Sequence, residues 1–221
     1  MNVLIIGASR GLGFEFVHQY RAAGARVTAT ARDDAGLQRL GEQGARALKL
    51  DVADAASVSG LAWLIDGERF DVVVINAGVY GPRTSGLETP TAADFDAVMH
   101  TNVLGPMRLL PQIAEALAPG ARVAILSSQM GSIGLRSSTA GWLYRASKAA
   151  ANSVMKDASL VLAGQATVIS FHPGWVRTDM GGAGADIDTA TSIAGMRTVL
   201  ASVKPADSGS FFNYDGRRLA W

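Results

Sequence analysis

Short apolar runs alternate with longer amphipathic stretches along the whole chain. The apolar runs are continuous, rich in β-branched residues and bounded by Gly, Asp or Asn, which is typical of strands that are covered on both faces. They predict strands at 3–6, 26–31, 47–51, 71–76, 122–127, 167–172 and 210–213. The stretches between them predict helices at 11–23, 34–42, 54–66, 92–117, 142–163 and 189–201. Asp54, and Thr91 with Asp94 three residues later, have the spacing of helix N-terminal caps.

The strand–helix–strand order predicts a doubly wound α/β fold with a mainly parallel, seven-stranded sheet. Parallel strands joined by helices form right-handed units, with helices on both faces of the sheet. The stretches 81–90 and 181–184 are interpreted as loops within one domain over residues 1–221. In this architecture ligands bind at the carboxyl ends of the strands, so the residues that follow each strand are the first candidates for chemistry.

Composition excludes several classes of protein. The 221 residues include 20 Lys and Arg against 19 Asp and Glu, a net charge of +1, which leaves no basic field for a nucleic acid. The chain has no cysteine, and this excludes disulfides, thiolate metal sites and a cysteine nucleophile. No apolar run is long enough for a signal peptide or a membrane span, so we expect a soluble protein of the cytoplasm.

A glycine-rich turn follows the first predicted strand and opens a helix. It consists of Gly7, Ala8, Ser9, Arg10, Gly11, Leu12 and Gly13. Glycines here allow a tight turn and a close approach of the backbone to a pyrophosphate, which the free N–H groups of the helix N-terminus bind. The spacing G-x-x-x-G-x-G differs from the G-x-G-x-x-G fingerprint, and glycines are common at strand–helix turns. A dinucleotide site and an ordinary turn are both open interpretations.

The same residues also spell G-x-S-x-G, the nucleophile-elbow pattern of α/β-hydrolases, with Ser9 at the turn. His172 follows later in the chain, so the residue order permits a serine hydrolase. Arg10 and Gly13 have no function in such an elbow, and this hypothesis leaves the tyrosine–lysine pair at 144 and 148 unexplained. A hydrolase is therefore the alternative from another reaction class.

The end of the second strand indicates which dinucleotide fits. A site for NAD has an acid there, about 20 residues beyond the glycines, that binds the ribose 2′-hydroxyl. This chain has Ala31 at that place and Arg32 after it. Arg32 and Arg10 together can hold a 2′-phosphate through charge-assisted hydrogen bonds, which favours NADP over NAD. Two solvated surface arginines are the alternative.

Two further strand ends carry small or polar residues. Asp51 ends the third strand, where its carboxylate can accept from an adenine amino group or can cap a turn. Asn76, Ala77 and Gly78 end the fourth strand. Their small size allows a flat ring to lie against the backbone, although Asn-x-Gly is also an ordinary turn.

Tyr144 and Lys148 lie four residues apart in a predicted helix and therefore share one face. An adjacent ammonium lowers the pKa of a phenol toward neutrality, so that the phenol can donate a proton to a carbonyl oxygen or accept one from an alcohol. Surface helices carry such pairs by chance, but Ser127 and Ser128 end the fifth strand at the same predicted edge. A hydroxyl there can bind the same substrate oxygen, or it can satisfy its own backbone.

With these motifs the chain resembles the short-chain dehydrogenase/reductase superfamily, in its single-domain branch with a Rossmann-type fold. The resemblance covers residues 3–178. Its elements occur in family order: the glycine turn, Asp51, Asn76-Ala77-Gly78, Asn102, Ser128, Tyr144 with Lys148, Pro173-Gly174 and Thr178. Each motif alone is common, and their order along the chain carries the resemblance. The segment 172–180 and the ending 214–221 are similar to C-factor-like and sniffer-like carbonyl reductases.

The resemblance implies a role for each matching residue. Tyr144 is the acid and base of the reaction, and Lys148 lowers its pKa and binds the nicotinamide ribose. Ser128 orients the carbonyl, with Ser132 as the alternative because the segment up to Tyr144 is longer than usual. Asn102 holds a water in a proton relay, or else it stabilises a kinked helix. The cofactor-binding residues implied are Gly7, Ser9, Arg10, Gly11, Leu12, Gly13, Arg32, Asp51, Val52, Asn76, Ala77, Gly78, Tyr144, Lys148, Pro173, Gly174, Val176 and Thr178.

Two features depart from the family pattern. Ile6 replaces the threonine that usually precedes the first glycine, which removes a hydrogen bond from the turn. Residues 179–188, where relatives carry a helical lid, are mostly Gly, Ala and Asp, so we expect an open or mobile pocket mouth with few fixed polar contacts for selecting a substrate. Three interpretations of the large apolar residues near this region stay open: they line a pocket, they fill the core, or they form a subunit contact. They are Trp142, Trp175, Met130, Leu135 and Met180.

The sequence as a whole predicts an NADP(H)-dependent carbonyl reductase, reversible as an alcohol dehydrogenase, whose substrate stays open. The histidines His18, His100 and His172 lack the spacing of a zinc site, so no metal is expected. Neither a nucleic acid nor a membrane is expected as a partner. The helices at 92–117 and 142–163 resemble those that pair subunits in the family, which implies a homodimer or homotetramer. A signalling or sensing protein that binds NAD(P) without turnover is the second hypothesis.

Overall fold

The computed structural model describes residues 1–221, and one seven-stranded sheet runs through it. The strands are β1 Asn2–Ile6, β2 Arg26–Ala31, β3 Arg46–Lys49, β4 Phe70–Ile75, β5 Leu117–Leu126, β6 Ala166–His172 and β7 Phe211–Asn213. Every pairing is parallel, in the order β3-β2-β1-β4-β5-β6-β7. The predicted doubly wound parallel sheet is confirmed.

Helices connect the strands and cover both faces of the sheet. They are α1 Gly11–Ala22, α2 Asp34–Glu42, α3 Ala55–Ser59, α4 Leu61–Leu64, α5 Ala92–Met99, α6 Gly105–Ile113, α7 Trp142–Val161 and α8 Thr189–Ser202. The side chains of Asp54 and Thr91 accept from backbone N–H groups in the first turns of α3 and α5, which confirms both predicted caps. None of the helices combines the length and the apolar character that crossing a membrane requires.

The helix predicted at 92–117 is interrupted in the structure. A π-helical turn, His100–Leu104, lies between α5 and α6. A π turn inserts one extra residue into the helix and so shifts the face on which the following residues lie. Local periodicity does not reveal it, because the insertion depends on what the helix packs against.

Two other boundaries differ from the prediction. The helix expected at 54–66 is split at Gly60 into α3 and α4. Strand β5 begins at Leu117 rather than at residue 122, because Leu117 pairs with Phe70 and the register then shifts at a bulge. Both differences follow from pairing and packing partners that are distant in sequence.

The sheet separates two apolar cores, which explains the continuous apolar strands. In β1, Val3 and Ile5 belong to the core that includes residues of α1, α2 and α8, whereas Leu4 and Ile6 belong to the core on the opposite face. All four side chains are fully buried. Because successive strand residues point to opposite faces, a strand that is covered on both sides is apolar at every position.

The strand order reverses between β1 and β4. From β1 the chain continues to β2 and β3 on one side, and then crosses back to β4 on the other side. A doubly wound sheet has a crevice at the carboxyl ends of its strands at such a point. Gly7 after β1 and Asn76 after β4 meet there, since the Asn76 side chain donates to the Gly7 carbonyl.

Two leucines on helices test this assignment of the core. Leu109 in α6 is fully buried, whereas Leu160 in α7 is 65 % exposed. We expect Leu109→Ala to lower the free energy of unfolding by about 2–5 kcal/mol, since it leaves a cavity in a packed core. Leu160→Ala, the matched control, should change it by less than about 0.5 kcal/mol. Urea unfolding followed by circular dichroism measures both, and equal losses would contradict the assignment.

Candidate active site

A tight turn between β1 and α1 forms one wall of the crevice. Gly7 has a φ of +83°, and a Cβ there would lie 2.8 Å from the Cα of Ala77. The Asn76 side chain binds the Gly7 carbonyl from β4. The hydrogen bond that Ile6 cannot supply comes from β2 instead, because the Gly7 N–H donates to Thr30 Oγ1 at 2.9 Å. Contacts within the protein therefore fix the turn.

The turn opens into a cleft of about 990 Å³, including its open mouth, which we call the first cleft. It brings together most of the cofactor-binding residues predicted from the sequence. These are Gly7, Ser9, Arg10, Gly11, Leu12, Arg32, Asp51, Val52, Asn76, Ala77, Gly78 and Thr178. Gly13 lies beneath the turn rather than in the cleft, where a Cβ would lie 2.6 Å from the Asn76 amide nitrogen and 2.8 Å from the Ala8 Cα.

Basic side chains stand at one end of the first cleft. Arg32 lines the cleft and forms no ion pair, while Arg10 pairs with Asp179 in an exposed salt bridge. Asp33, the first acid after β2, accepts from the Gly36 N–H at 2.6 Å as the N-cap of α2. Its carboxylate is thus engaged by the helix, and Arg32 remains available to an anion.

Two other residues brace the first cleft. Asp51 Oδ1 accepts from the Ala53 N–H at 2.9 Å, which is the turn-capping role that the sequence left open, and its other oxygen has no protein partner. Arg39, which the sequence analysis did not identify, donates to the Ser9 carbonyl from Nε at 3.3 Å and from Nη2 at 3.2 Å. No local signal marks Arg39, because only the packing of α2 brings it to the turn.

A second cleft continues from the first. Leu12, Thr178 and Met180 line both, so the two clefts are contiguous. The second cleft encloses about 1250 Å³, including its open mouth, and Ser128 and Tyr144 line it. A long ligand can therefore extend from the glycine turn to these hydroxyl groups.

Tyr144 and Lys148 lie in α7 and approach each other, as their spacing predicts. The Lys148 Nζ is 5.7 Å from the centroid of the Tyr144 ring and donates to the Leu126 carbonyl at 2.8 Å. Both side chains are buried. The bond to Leu126 ties this helix to the carboxyl end of β5, where the second cleft begins.

Burial determines how this pair is protonated in the protein alone. It raises the pKa of Tyr144 to about 12, and a hydrogen bond with Ser128 opposes the rise. It lowers the pKa of Lys148 to about 8. The prediction that the pKa of Tyr144 is lowered is therefore wrong for this structure, because the cost of burying a phenolate outweighs the effect of the Ser128 hydrogen bond.

Ser128, rather than Ser132, faces the second cleft. Ser128 lines the cleft and hydrogen-bonds with Tyr144. Ser132 is fully buried, donates to the Trp221 carbonyl at 3.1 Å and accepts from the Leu135 N–H at 3.0 Å. The hydroxyl of Ser132 is thus used to join two segments of the chain.

Asn102 lies in the π-helical turn and is buried. Its Oδ1 accepts from the Val79 N–H at 2.8 Å, and its Nδ2 donates to the Val79 carbonyl at 2.8 Å and to Ser147 Oγ at 2.9 Å. Both amide hydrogens are used, and one Oδ1 lone pair remains. A Cβ at Gly78 would lie 3.2 Å from Lys148 Nζ and 3.3 Å from Asn102 Oδ1, so these polar groups converge beside Gly78.

The segment after β6 forms the opposite wall of the second cleft. Pro173, Gly174, Val176 and Thr178, which the resemblance implies as cofactor-binding residues, all line it. Gly174 has a φ of +86°, which favours glycine at this turn. Thr178 also lines the first cleft, so this segment reaches the junction of the two clefts.

Residues 179–188 are bound back onto the chain. The Arg177 N–H donates to the Ile187 carbonyl at 2.8 Å, and the Ile187 N–H donates to the Trp175 carbonyl at 3.2 Å. The Trp175 indole donates to the Gly181 carbonyl at 2.9 Å. These bonds fix the segment to the rest of the chain, while the expectation that it offers few polar contacts to a substrate stays a prediction.

The second cleft also contains residues that the sequence did not indicate, among them Tyr80, Arg83 and Arg145. Tyr80 stacks on Tyr144, with the ring centroids 4.6 Å apart, and the Arg83 guanidinium lies 5.3 Å from the Tyr80 centroid. Arg83 also donates to the Met180 carbonyl at 3.2 Å. Arg145 stands next to Tyr144 in the chain, and a charged residue inside the Y-x-x-x-K motif was the available signal.

The apolar residues considered from the sequence divide between cleft and interior. Those that line the second cleft are Met130, Leu135, Trp175 and Met180. Trp142 does not line it, and its indole nitrogen is buried without a partner. The second cleft therefore has an apolar surface around its polar hydroxyl groups.

His172 lines the second cleft as a neutral side chain. Burial, with the nearby Arg217, lowers its pKa to about 4. No three His, Asp or Glu side chains lie close enough together to hold a metal ion. Ser9, the candidate nucleophile of the hydrolase hypothesis, lines the first cleft, which contains no histidine.

Comparisons with known proteins indicate the family of this chain. A family model described as short chain dehydrogenase matches residues 1–186. C-signal of Myxococcus xanthus is 38 % identical over 154 residues, 68 % of this chain and 92 % of that protein. A short-chain dehydrogenase/reductase of Burkholderia multivorans, solved with bound NADP, matches with a TM-score of 0.91 and 32 % identity over 100 % of this chain and 99 % of the other. The carbonyl reductase Sniffer of D. melanogaster matches with a TM-score of 0.88 and 28 % identity over the same shares.

The sequence and the fold therefore agree on one assignment. The family model covers most of the chain, and both solved structures match it from end to end. The resemblance recognised from the ordered motifs, including the similarity to Sniffer, is confirmed. The chain belongs to the short-chain dehydrogenase family.

Proposed function

We propose that this protein is an NADP(H)-dependent oxidoreductase that reduces an aldehyde or ketone to an alcohol, or catalyses the reverse reaction. One observation carries the proposal. The first cleft, lined by the glycine turn, runs without interruption into the second cleft, where Ser128 and Tyr144 stand beside a buried lysine. The neighbour that was solved with NADP and the carbonyl reductase Sniffer support the same cofactor and reaction class here.

The residues of the first cleft fit a dinucleotide phosphate. No Cβ fits at Gly7, and α1 starts without a side-chain cap or an acid in its first turn, which leaves its N–H groups to a pyrophosphate. Arg32 has no ion-pair partner and would bind the 2′-phosphate, together with Arg10 once it leaves Asp179. NADPH, when bound, supplies the hydride.

Tyr144 is the proton donor of the proposed reduction. With a pKa near 12 its phenol is protonated at neutral pH, which is the form that a reduction needs. The phenol proton passes to the carbonyl oxygen while the carbonyl carbon accepts the hydride, and the negative charge then lies on Tyr144. Ser128, which hydrogen-bonds with Tyr144, donates to the same carbonyl oxygen and orients it.

Lys148 and Asn102 support this proton transfer. The Lys148 ammonium, 5.7 Å from the Tyr144 ring, stabilises the phenolate that remains after the proton has left. Asn102 is a positioning residue, because it holds the backbone at Val79 and the hydroxyl of Ser147. Its remaining lone pair is the acceptor that the proposed relay water needs.

The other hypotheses have less support. A sensor that binds NADP without turnover does not require a buried tyrosine, lysine and serine around a second cleft, and groups perturbed in this way are typical of catalytic sites. A hydrolase that uses Ser9 lacks a histidine in the first cleft. The reductase accounts for both clefts together.

We also propose that residues 1–221 form one domain that assembles with further copies of itself. Phe95 in α5 and Met107 in α6 are 49 % and 50 % exposed. Half-exposed large apolar residues on the helices named for subunit pairing support a homodimer or homotetramer. The location in the cytoplasm stays a prediction from the sequence.

Tyr144→Phe tests the proposed proton donor. Because the phenyl ring keeps the packing against Tyr80 and removes only the hydroxyl, we expect the kcat for carbonyl reduction to fall by about 100-fold or more. The Kd for NADPH should change by less than about two-fold. NADPH oxidation over a panel of aldehydes and ketones and a fluorescence titration measure the two quantities. Tyr20→Phe, at a buried tyrosine outside both clefts, is the control. Unchanged turnover in Tyr144→Phe would refute the proposal.

The burial of Lys148 predicts a pH dependence of folding stability. Its pKa is lowered from 10.5 to about 8 in the folded protein, so the unfolded chain binds the proton more tightly. Stability contributed by Lys148 is therefore fully present above pH 10.5 and is lost as the pH falls toward 8. Between about pH 7.5 and 9.5 the wild type should gain about 2 kcal/mol relative to Lys148→Met in urea unfolding.

The matched control for this experiment is Lys49→Met, which removes an exposed ammonium. Its difference from the wild type should vary with pH by much less than the difference that Lys148→Met shows. The structure indicates that burial desolvates Lys148. A stability difference between wild type and Lys148→Met that stays constant across the pH range would contradict this.

Arg32→Asp tests the preference for NADP. Replacing the unpaired guanidinium with a carboxylate removes a charge-assisted hydrogen bond and adds repulsion toward a 2′-phosphate. We expect the Kd for NADPH to rise by about 10- to 100-fold, while the Kd for NADH, which has no such phosphate, changes by less than about three-fold. Fluorescence titration with each nucleotide measures this ratio, and a ratio equal to that of the wild type would overturn the assignment.

A further inference from the structure

Arg145 is a buried cation without a counter-charge. Arg145 and Lys148 are the two charged side chains that the fold buries, and Arg145 is 8 % exposed. Its Nε donates to the Ala140 carbonyl at 2.8 Å. It takes part in no salt bridge, and its other N–H groups have no acceptor in the protein.

The small exposed part of Arg145 belongs to the second cleft. The residue lines that cleft, and its Nη atoms are not among the buried polar atoms that lack both solvent and a partner. A buried charge is normally paired, since desolvating it without a partner is unfavourable. The free donors of Arg145 are therefore available to an acceptor that enters the cleft.

The rest of the second cleft is positive or neutral. No Asp or Glu lines it, while a second arginine, Arg83, stands over Tyr80 at its wall. Arg83 also forms no salt bridge. Asp179 and Asp188, in the neighbouring segment, pair with Arg10 and Arg177 instead. No carboxylate in the wall of this cleft competes with an incoming anion for these guanidinium groups.

We infer that the substrate of the second cleft is a carbonyl compound that carries an anionic group, and that Arg145, with Arg83, binds this group while the carbonyl lies at Ser128 and Tyr144. The inference rests on the proposed reductase function and names its substrate class. A guanidinium binds carboxylates and phosphates through paired, charge-assisted hydrogen bonds. Arg145 follows Tyr144 in the first turns of α7, so one helix holds both the proton donor and the anion site. The anion then sets which part of the substrate reaches the phenol.

Three aldehydes that share one ring test the substrate class. They are para-formylbenzoate, para-formylphenyl phosphate and the neutral methyl para-formylbenzoate. Initial rates of NADPH oxidation give kcat/KM for each. We expect at least one anion to exceed the ester by about 10- to 100-fold, the range for a hydrogen bond between charged groups. The ester group activates an aldehyde more than a carboxylate does, so intrinsic reactivity works against this result. The anion with the higher kcat/KM shows whether the site prefers a carboxylate or a phosphate.

Variants of Arg145 assign the preference to this residue. In Arg145→Met the ratio of kcat/KM between anion and ester should fall to within about three-fold of one, and Arg145→Lys should restore part of it. Arg136→Met removes an exposed arginine from the same stretch of chain outside both clefts, and the wild-type ratio should persist. NADPH fluorescence reports whether the variants of the buried Arg145 fold. If they do not, Arg83→Met at an exposed position is the second test, and it should lower the ratio of kcat/KM between anion and ester.

Binding of the alcohol products separates this inference from the proposed function. Calorimetry compares para-hydroxymethylbenzoate and para-hydroxymethylphenyl phosphate with the methyl ester of the former, with NADP+ present. Arg145-dependent preference for an anion in both rate and binding supports both proposals. Reduction of the ester at least as fast as of both anions would falsify the anion site and leave the reductase standing. Anion binding that depends on Arg145, without turnover of any aldehyde, supports the site and overturns the reductase. If neither turnover of an aldehyde nor Arg145-dependent binding of an anion is observed, both proposals are overturned.

Discussion

The hydrogen bond from the buried Lys148 ammonium to the Leu126 carbonyl is the interaction around which the proposed active site is arranged. This bond joins α7 to the end of β5, and the Ser127 hydroxyl donates a second hydrogen bond, to the Lys148 carbonyl. Helix and strand end are thereby held together, which brings Tyr144 and Ser128 into one cleft. The same desolvation that makes this ammonium costly is what gives it a strong effect on a charge that develops nearby.

The protonation states of the pair suit the proposed direction of catalysis. A phenol whose pKa is raised holds its proton until a carbonyl oxygen is placed to take it. In the proposed reaction the Lys148 ammonium then stabilises the phenolate that is left. Burial thus keeps the proton on Tyr144 before the transfer, and the ammonium stabilises Tyr144 after it. A pKa of Tyr144 lowered in the protein alone would instead leave part of the molecules without the proton that reduction requires.

Close packing at the glycine turn and positive charge in the second cleft divide the site into two parts. At Gly7, which lines the first cleft, there is no room for a side chain, so backbone N–H groups are the donors that this turn offers to a ligand. In the second cleft the recognition groups are side chains, and two guanidinium groups meet no carboxylate there. The first part suits a dinucleotide cofactor, and in the proposed function the second part selects the substrate.

The sequence by itself determined the strands, their parallel arrangement, the caps at Asp54 and Thr91, and the order of the site motifs. These properties are local, because hydrophobic periodicity and residue spacing depend on the preferences of short segments. Which distant segments meet was decided only by the tertiary structure. It inserted the π turn at Asn102, engaged Ser132 with Trp221, stacked Tyr80 on Tyr144 and buried Arg145. It also reversed the expected pKa shift of Tyr144, since desolvation is a property of the surroundings and no residue spacing encodes it.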